Sequence, residues 1–490
     1  MKLLSAKPSL NIDQLETYIQ NTMTQWDIPG LSLAIVKDGN PVVTKGYGSR
    51  EVGKDLPVDE HTLFPISGGT RLVTASALAL LVAEGQLSWN DRLSDVLPRF
   101  NTGSELINQQ ATVIDALAWR IGLPLTMELL ACFSNPGLSR GDLLNKLQHI
   151  TQPSGFRTGA GISQLLLVVA GEIIPAVTGV NWDDFVQDRL FNPLGMSRSI
   201  TGPHLLSTRE NVAAPHDRVD GQPVTIPYTM NHNIGASCSV YSSATDMARW
   251  LQFQLDNGKF GHHALIPKSQ IDIMRQIHMA KPIGLPGFDP TLSGYGLGIA
   301  VLASHTGYRG YGVGGGTDGF EAFYVFVPEL NLGIAAMINT YHCLPQGLIP
   351  WIIDRYAGAP EKDWITENLN QIDGQEKSTA LSLDTLRNQL THPSQAPSLP
   401  MEGYVGIYRH PFMGDLCIRQ VGEALVFTLG ENYEGELPHA NYNTFFREPV
   451  KPISNRALFR GPLRFNLGYE GQVESLTIEE GDFIKCIARV

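Results

Sequence analysis

Hydrophobic positions near the N-terminus first recur at helical spacing and then alternate with polar positions. Residues 11–28, NIDQLETYIQNTMTQWDI, show the helical spacing and predict a helix with Asn11 or Asp13 as its cap. Residues 29–48 alternate around an Asp-Gly-Asn turn, which predicts a β-hairpin. Residues 70–85 form an apolar run that ends at a glycine, as a helix commonly does.

The pattern changes twice more before residue 358. Residues 90–280 are mainly helical, most clearly at 162–179 and 243–260, where Ser243 or Thr245 is the candidate cap of the second helix. Residues 293–340 return to strand-like runs such as GFEAFYVFVPE. Strands at both ends with helices between them predict an α+β domain whose antiparallel sheet is built from both ends of the segment.

Composition changes again in the last quarter of the chain. Residues 359–399 are polar and end in a run rich in Pro and Ser, which predicts a linker with one or two short helices. Residues 400–490 show short strands separated by turns, which predicts a small all-β barrel. The sequence thus divides into a large domain at 1–358, a linker at 359–399 and a barrel at 400–490.

Charge and cysteine content narrow the classes of partner. The net charge of −12 and the pI of about 5.5 argue against nucleic acid or an anionic membrane surface as a partner. The five cysteines are odd in number and widely spaced, and the N-terminus lacks the apolar core of a signal peptide, so we expect a cytoplasmic protein. No metal-ligand spacing appears and no cofactor is expected. The sequence leaves the oligomeric state open.

Several phrases in residues 12–355 occur in the order seen in one known family. They include IPGLSLAIVKDG, EGQLSWNDRLSDVLPRF, LFNPLGM, YSSATDMARWLQFQLDNGK and GGGTDGFEAFYVFVPELNLGIAAMIN. In these phrases the chain resembles the penicillin-binding and β-lactamase-like serine hydrolases, and residues 402–490 resemble the small β-barrel of some members. The resemblance implies a β-lactamase/transpeptidase-like domain followed by that barrel.

The resemblance also shows where the family's catalytic side chains are substituted. The family opens its first core helix with Ser-x-x-Lys, in which the lysine takes the proton of the serine. The corresponding residues here are Gly68 and Arg71, and an arginine cannot act as a base near neutral pH. The Tyr-x-Asn motif becomes Ile162-Ser163-Gln164 in one register and Thr158-Gly159-Ala160 in another, and neither restores the tyrosine. The usual His or Lys of the opposite strand becomes Val313. A fourth family phrase, SH-x-(T/S)-GL, has Trp119 at its histidine position.

Backbone donors survive such substitutions. The resemblance implies an oxyanion hole from the N–H groups of Gly68 and Gly316, with Gly68 at the positive end of a helix. We therefore predict a site with Gly68, Gly316 and Arg71 as its chemical groups. The predicted pocket lining is Ser67, Trp119, Ile162, Gln164, Cys238, Ser239, Val313 and Gly315.

Three functions remain open from the sequence. The first is binding of a largely apolar, carbonyl-bearing small molecule, with a non-acyl step such as cyclisation or isomerisation in a specialised biosynthetic pathway. The second is a non-catalytic ligand sensor or scaffold. The third is a hydrolase with a relocated nucleophile, for which Ser67 and Cys238 are candidates. Arg71 is open to two interpretations, a ligand-binding cation or a member of a structural ion pair.

Overall fold

The fold described here is that of a computed structural model. It describes residues 9–123, 132, 135–150, 155–159, 161–219, 221–391, 395–430, 433–449, 460–479 and 481–486. The outer ends of the two predicted domains, 1–8 and 487–490, lie outside these residues.

An eight-stranded antiparallel sheet forms the centre of the large domain. Its strands are β1 Gly30–Lys37, β2 Asn40–Gly48, β3 Met279–Ala280, β4 Gly294–Tyr295, β5 Ala300–Ala303, β6 Arg309–Thr317, β7 Phe320–Val327 and β8 Leu332–Ile338. The spatial order is β2-β1-β8-β7-β6-β5-β4-β3, so the N-terminal hairpin pairs with the last strand. The prediction of one sheet built from both ends of the segment is confirmed.

Helices cover both faces of this sheet. Those of the large domain are α1 Ile12–Gln25, α2 Thr70–Ala83, α3 Leu93–Val96, α4 Glu105–Gln110, α5 Val113–Leu117, α6 Arg140–Lys146, α7 Gln164–Thr178, α8 Trp182–Val186, α9 Gly235–Cys238, α10 Ala244–Leu255, α11 Lys268–Met274 and α12 Leu344–Ala357. Strand β7 reads FEAFYVFV and is buried throughout, because helices cover it on both sides. Short two-stranded ribbons join residues 64–65 to 241–242, 216–219 to 222–225, and 259–260 to 263–264.

Polar side chains set the helix ends where the sequence predicted them. The Asn11 carboxamide accepts from the Gln14 N–H at 3.1 Å at the start of α1. The Ser243 hydroxyl accepts from the Asp246 N–H at 3.3 Å and begins α10 in the same way. Helix α2 ends at Ala83, two residues before Gly85, which takes a φ of 73°.

The C-terminal part forms a closed barrel. Its strands are β9 Gly406–His410, β10 Gly414–Val421, β11 Ala424–Leu429, β12 Tyr433–Leu437, β13 His439–Asn441, β14 Thr444–Pro449, β15 Gly461–Leu467, β16 Val473–Ile478 and β17 Gly481–Lys485. Pairing between β12 and β14 closes a ring of eight strands, with β13 attached to β14. Closure removes the exposed edges that an open sheet of this length would present.

The turn between β9 and β10 attaches the barrel to the large domain. The Lys146 ammonium donates to the Pro411 carbonyl at 2.7 Å, and the Asn135 amide donates to the Met413 carbonyl at 3.1 Å. Phe412 and Met413 are completely buried in the core cluster that continues from the large domain. The barrel is therefore packed against the helical layer.

One long helix, α13 Trp364–Leu390, lies in the predicted linker and replaces the one or two short helices expected there. It packs on α12 through its first turn, where Trp364 and Ile365 are buried. In the described part of the chain no single helix is long and apolar enough to cross a membrane. The bent pair Gln164–Thr178 and Trp182–Phe191 passes that test together, on length and composition.

Candidate functional site

A short 3₁₀ turn, Ser67–Gly69, leads into α2 and faces the end of β6. Hydrogen bonds from other layers hold the turn and the first turn of α2. The Tyr324 hydroxyl donates to the Gly69 carbonyl at 2.8 Å, and the Thr70 hydroxyl accepts from the Val240 N–H at 3.1 Å. The helix entrance is thus fixed against both the sheet and the segment that precedes residue 241.

The Gly68 position has no room for a side chain. A Cβ placed on Gly68 would lie 2.2 Å from the Gly314 carbonyl oxygen and 3.2 Å from Cζ of Arg71. Both distances are shorter than normal packing contacts, and the first is to backbone that cannot rotate away. The carbonyl of Gly314 and the guanidinium of Arg71 therefore occupy the space in which a side chain at residue 68 would project.

The register of β6 and β7 decides which way the glycines of β6 point. A two-residue turn joins the strands and pairs Thr317 with Phe320, which makes Gly314 and Gly316 non-hydrogen-bonded positions of the ladder. Because the Gly314 carbonyl points out of the ladder towards Gly68, the N–H of Gly316 points out on the same edge. Gly315 has a φ of 149°, a conformation that glycine adopts and other residues avoid.

Arg71 is a cation without an ion-pair partner. Its Nε–H is buried and donates to no acceptor among the described residues, and no described carboxylate lies within ion-pair distance of the guanidinium. Its guanidinium lies over the Trp119 ring at 5.4 Å from the centroid. Burial lowers the pKa of Arg71, and proximity to Cys238 and Tyr295 opposes that shift. Of the two interpretations of Arg71, the structural ion pair is thus not found.

The Trp119 ring is buried under the guanidinium of Arg71 and does not present an exposed aromatic face. The indole is 1% exposed, and its N–H donates to the Ser163 carbonyl at 3.2 Å. Its ring also packs edge-on against Tyr295 at 4.8 Å between centroids. The prediction that Trp119 lines open space therefore needs correction, because Arg71 and Tyr295 cover the ring.

Tyr295 is a site residue that the sequence did not reveal. It lies on β4, and burial raises the pKa of its phenol while nearby Arg71 lowers it. The strand pattern around Gly294-Tyr295 was visible, but which face of a two-residue strand meets α2 depends on the packing of the whole sheet. Tyr295 joins Arg71 and Trp119 in one cluster of a cation and two aromatic rings.

The candidate nucleophiles lack the partners that would activate them. The Ser67 hydroxyl is completely buried and has no hydrogen-bond partner, and Ser67 has a φ of 46°. Cys238 is 4% exposed, its Sγ accepts from the Asn231 amide at 3.4 Å, and burial raises its thiol pKa to about 12. A serine without a base and a thiol that stays protonated are both poor nucleophiles at neutral pH.

The remaining predicted lining residues divide by exposure. Ser239 is completely buried and donates to the Asn231 carbonyl at 2.8 Å, so it does not face open space as predicted. Val313 is 5% exposed and packs in the core. Ile162 and Gln164 are partly exposed, and the Gln164 carbonyl oxygen accepts from the Ser237 hydroxyl. The residues of the site that keep some exposure are Arg71, Ile162, Gln164, Gly314, Gly315 and Gly316.

Among the described residues, no group of three or more His, Cys, Asp or Glu side chains is arranged to hold a metal ion. The chemical groups of the site are accordingly a guanidinium, a phenol, a carboxamide and backbone amides.

Two family models match this chain, one in each of its two domains. Residues 15–355 match the family model described as Beta-lactamase, and residues 390–486 match a domain of unknown function, DUF3471. The chain belongs to the Beta-lactamase family, a group in which its penicillin-binding-protein-like fold is common.

Curated relatives and solved structures give more particular similarities. The chain is 26% identical to "Unguisins hydrolase ungD'" of Aspergillus campestris, over 82% of this chain and 76% of the relative. It is 25% identical to "Protein flp" of Staphylococcus aureus, over 76% and 72%. The octameric penicillin-binding protein homologue from Pyrococcus abyssi superposes with a TM-score of 0.62 at 20% identity, covering 97% of this chain and all of that one. SurE gives 0.58 at 20% identity, covering 97% and 99%. These structures share the fold.

Proposed function

We propose that this chain is a repurposed member of the β-lactamase fold family that binds a largely apolar, carbonyl-bearing small molecule. In this proposal the ligand lies between the entrance of α2 and the end of β6, and no acyl-enzyme forms. The step that it undergoes is non-acyl, such as a cyclisation or an isomerisation.

The observation that carries the proposal is the packing at Gly68. The residue that the family resemblance places at the nucleophile position is a glycine whose missing side chain is replaced by the Gly314 carbonyl. Two features therefore argue against an acyl-enzyme: residue 68 is a glycine, and the backbone of β6 fills the space that a nucleophile at this position would need. A serine introduced at this position would not find the space that a nucleophile needs.

Arg71 supplies the electrostatics of the proposed step. Its charge is unpaired within the described residues, and its guanidinium lies over the Trp119 ring, which packs in turn against Tyr295. A carbonyl oxygen that gains negative charge during a cyclisation or isomerisation is stabilised by such a fixed cation and by the N–H of Gly316. Single preorganised donors of this kind contribute on the order of 3 kcal/mol in known enzymes.

A second function, ligand sensing without turnover, is favoured by one specific feature. The Gly314 carbonyl oxygen faces the same space as the proposed donors, and it would repel a fully developed oxyanion while tolerating a bound neutral molecule. The third function, hydrolysis by a relocated nucleophile, draws on the printed name of the unguisins hydrolase relative. The buried, base-free Ser67 and the protonated Cys238 both argue against it.

A single thioester probe tests the proposal. Octanoyl-N-acetylcysteamine is apolar, carries one activated carbonyl and releases a coloured product with a thiol reagent if an acyl group is transferred. We expect saturable binding by calorimetry without thiol release, and loss of binding in Arg71→Met. Arg419→Met removes an exposed arginine of the barrel and is the matched control.

Two results would contradict the proposal. Thiol release with a burst of one equivalent would show an acyl-enzyme. Absence of binding, or equal binding by Arg71→Met, would show that the ligand site lies elsewhere. If the probe binds and a panel of carbonyl compounds is recovered unchanged, the sensor function is the better account.

A further inference from the structure

A second cavity lies on the opposite face of the sheet, between the β6–β7 hairpin, α12 and α13. Its volume is about 230 Å³. Leu285, Pro286 and Ile372 provide apolar surface, and Glu321, His342 and Gln346 provide polar groups. An engineered cavity of about 150 Å³ holds benzene, so this volume accommodates a ring that bears a small polar substituent.

Glu321 is a buried carboxyl that faces this cavity. It is 6% exposed, and its Oε1 accepts from the Gln346 side-chain amide at 2.6 Å. No lysine or arginine lines the cavity among the described residues, and its other titratable groups are Tyr341, His342 and Cys343. A carboxyl that is desolvated and lacks a cation retains its proton. Burial accordingly raises the pKa of Glu321 to about 8.

Glu321 and Gln346 together offer a ligand one hydrogen-bond donor, the carboxyl proton of Glu321, and one acceptor, the amide oxygen of Gln346. Because Oε1 of Glu321 already accepts a hydrogen bond, the proton belongs on Oε2, for which the described residues give no acceptor. Oε1 of Gln346 is buried and has no hydrogen-bond partner in the described part of the chain. Unpaired polar groups in a protein interior are rare and costly, which points to a molecule that satisfies them.

His342 adds a second unpaired donor to the same cavity. Its Nδ1 accepts from the Leu344 N–H at 3.0 Å, which places the ring proton on Nε2 in the neutral imidazole. That Nε2 is buried and has no partner. Burial lowers the pKa of His342 to about 4, so the ring is neutral at physiological pH. Glu321 and His342 are therefore both uncharged near neutral pH.

We propose that this cavity is a binding site for a small neutral carboxamide. The carbonyl oxygen of the ligand accepts from Oε2 of Glu321, and its N–H donates to Oε1 of Gln346. A carboxamide carries both functions in one plane, whereas a carboxylate offers no donor to Gln346 and would be buried without a cation. Val313 and Tyr324 of the same hairpin face the opposite side of the sheet, towards the entrance of α2, while Oε2 of Glu321 lies beside Gly316.

Benzamide is a suitable probe because it combines a ring with a primary carboxamide. We expect saturable one-to-one binding by calorimetry or ligand-observed NMR near neutral pH, and none for benzoate. Gln346→Met removes the acceptor and should weaken binding about tenfold or more, since an unpaired ligand donor is then buried. Glu329→Gln, at an exposed position between β7 and β8, is the matched control and should bind as the parent protein does.

The pH profile gives a readout that a structural defect does not reproduce. Binding by the parent protein should weaken above about pH 8, where Glu321 loses the donated proton. Glu321→Gln keeps an N–H donor at the same place and should bind benzamide with no such dependence. The proposal is overturned if benzamide does not bind saturably, if benzoate binds equally, or if Gln346→Met or the pH profile of Glu321→Gln matches the parent protein.

Discussion

Replacing Gly68 by alanine adds one methyl group at the most tightly packed point of the candidate site. The new Cβ would lie 2.2 Å from the Gly314 carbonyl oxygen and 2.9 Å from the Gly314 carbonyl carbon. Non-bonded carbon contacts are comfortable at about 3.5–4.0 Å, so β6 or the 3₁₀ turn has to move by roughly 1 Å. The Tyr324 bond to the Gly69 carbonyl resists that movement from the other side.

Two effects of opposite sign determine how Gly68→Ala changes the unfolding free energy. A glycine-to-alanine change in helical backbone stabilises by up to about 1 kcal/mol. Overpacking of a rigid interior typically costs about 1–3 kcal/mol, and here the obstructing atom is backbone. We therefore expect Gly68→Ala to lower the unfolding free energy by roughly 1–2 kcal/mol, and Gly68→Ser to lower it further and to gain no esterase activity.

Scanning calorimetry of the large domain measures this effect as a fall in Tm of a few degrees. Gly137→Ala is the matched control, because nothing lies within 4 Å of its added Cβ and its φ is not positive. An unchanged or higher Tm for Gly68→Ala would refute the reasoning, because Gly314 would then not fill the space. Ester hydrolysis by Gly68→Ser would refute it from the functional side.

Three further predictions concern charge and reactivity. Arg71→Met should raise Tm while abolishing thioester binding, because it removes a partly buried, unpaired cation; a lower Tm would show a partner that stabilises Arg71. Glu321 has a folded pKa of about 8 against 4.5 in the unfolded chain. The contribution of its protonated carboxyl to the free energy of unfolding is therefore fully present below about pH 4.5 and is lost as the pH rises through 8. Glu321→Gln should therefore become more stable relative to the parent protein between those values, by at most about 5 kcal/mol, and a constant difference in thermal melts across this range would contradict the assignment. With iodoacetamide near pH 8, peptide mapping should show partly exposed Cys417 and Cys486 modified well before Cys238, whose thiol pKa is about 12; early loss of Cys238 would restore it as a candidate nucleophile.

The sequence predicted those elements whose signals are local. Helices α1 and α10 combine apolar spacing with a capping side chain, and each begins at one of its two candidate caps, Asn11 and Ser243. The length of α13 was not predicted, because its sequence lacks a strong apolar stripe and most residues beyond its first turn whose burial is described are exposed or half-buried. Polar, Gly-containing sequence of this kind fits a linker equally well.

The sequence indicated which residues to look for at the candidate site, but not how they pack against one another. The motif comparison located Gly68, Arg71 and the glycines of β6, because each occupies a fixed place in a family phrase. The contact between the Gly314 carbonyl and Gly68 depends on how far β6 advances towards α2, which the identity of a glycine does not reveal. Tyr295 and Glu321 were missed for the same reason, since their neighbours come from distant segments.

The most direct test of the proposed function is the intact mass of the protein after incubation with octanoyl-N-acetylcysteamine and, separately, with a fluorophosphonate probe. The account predicts an unchanged mass in both experiments, under conditions in which calorimetry shows that the thioester binds. A stoichiometric adduct would contradict it, and peptide mapping of that adduct to Ser67 or Cys238 would identify a relocated nucleophile.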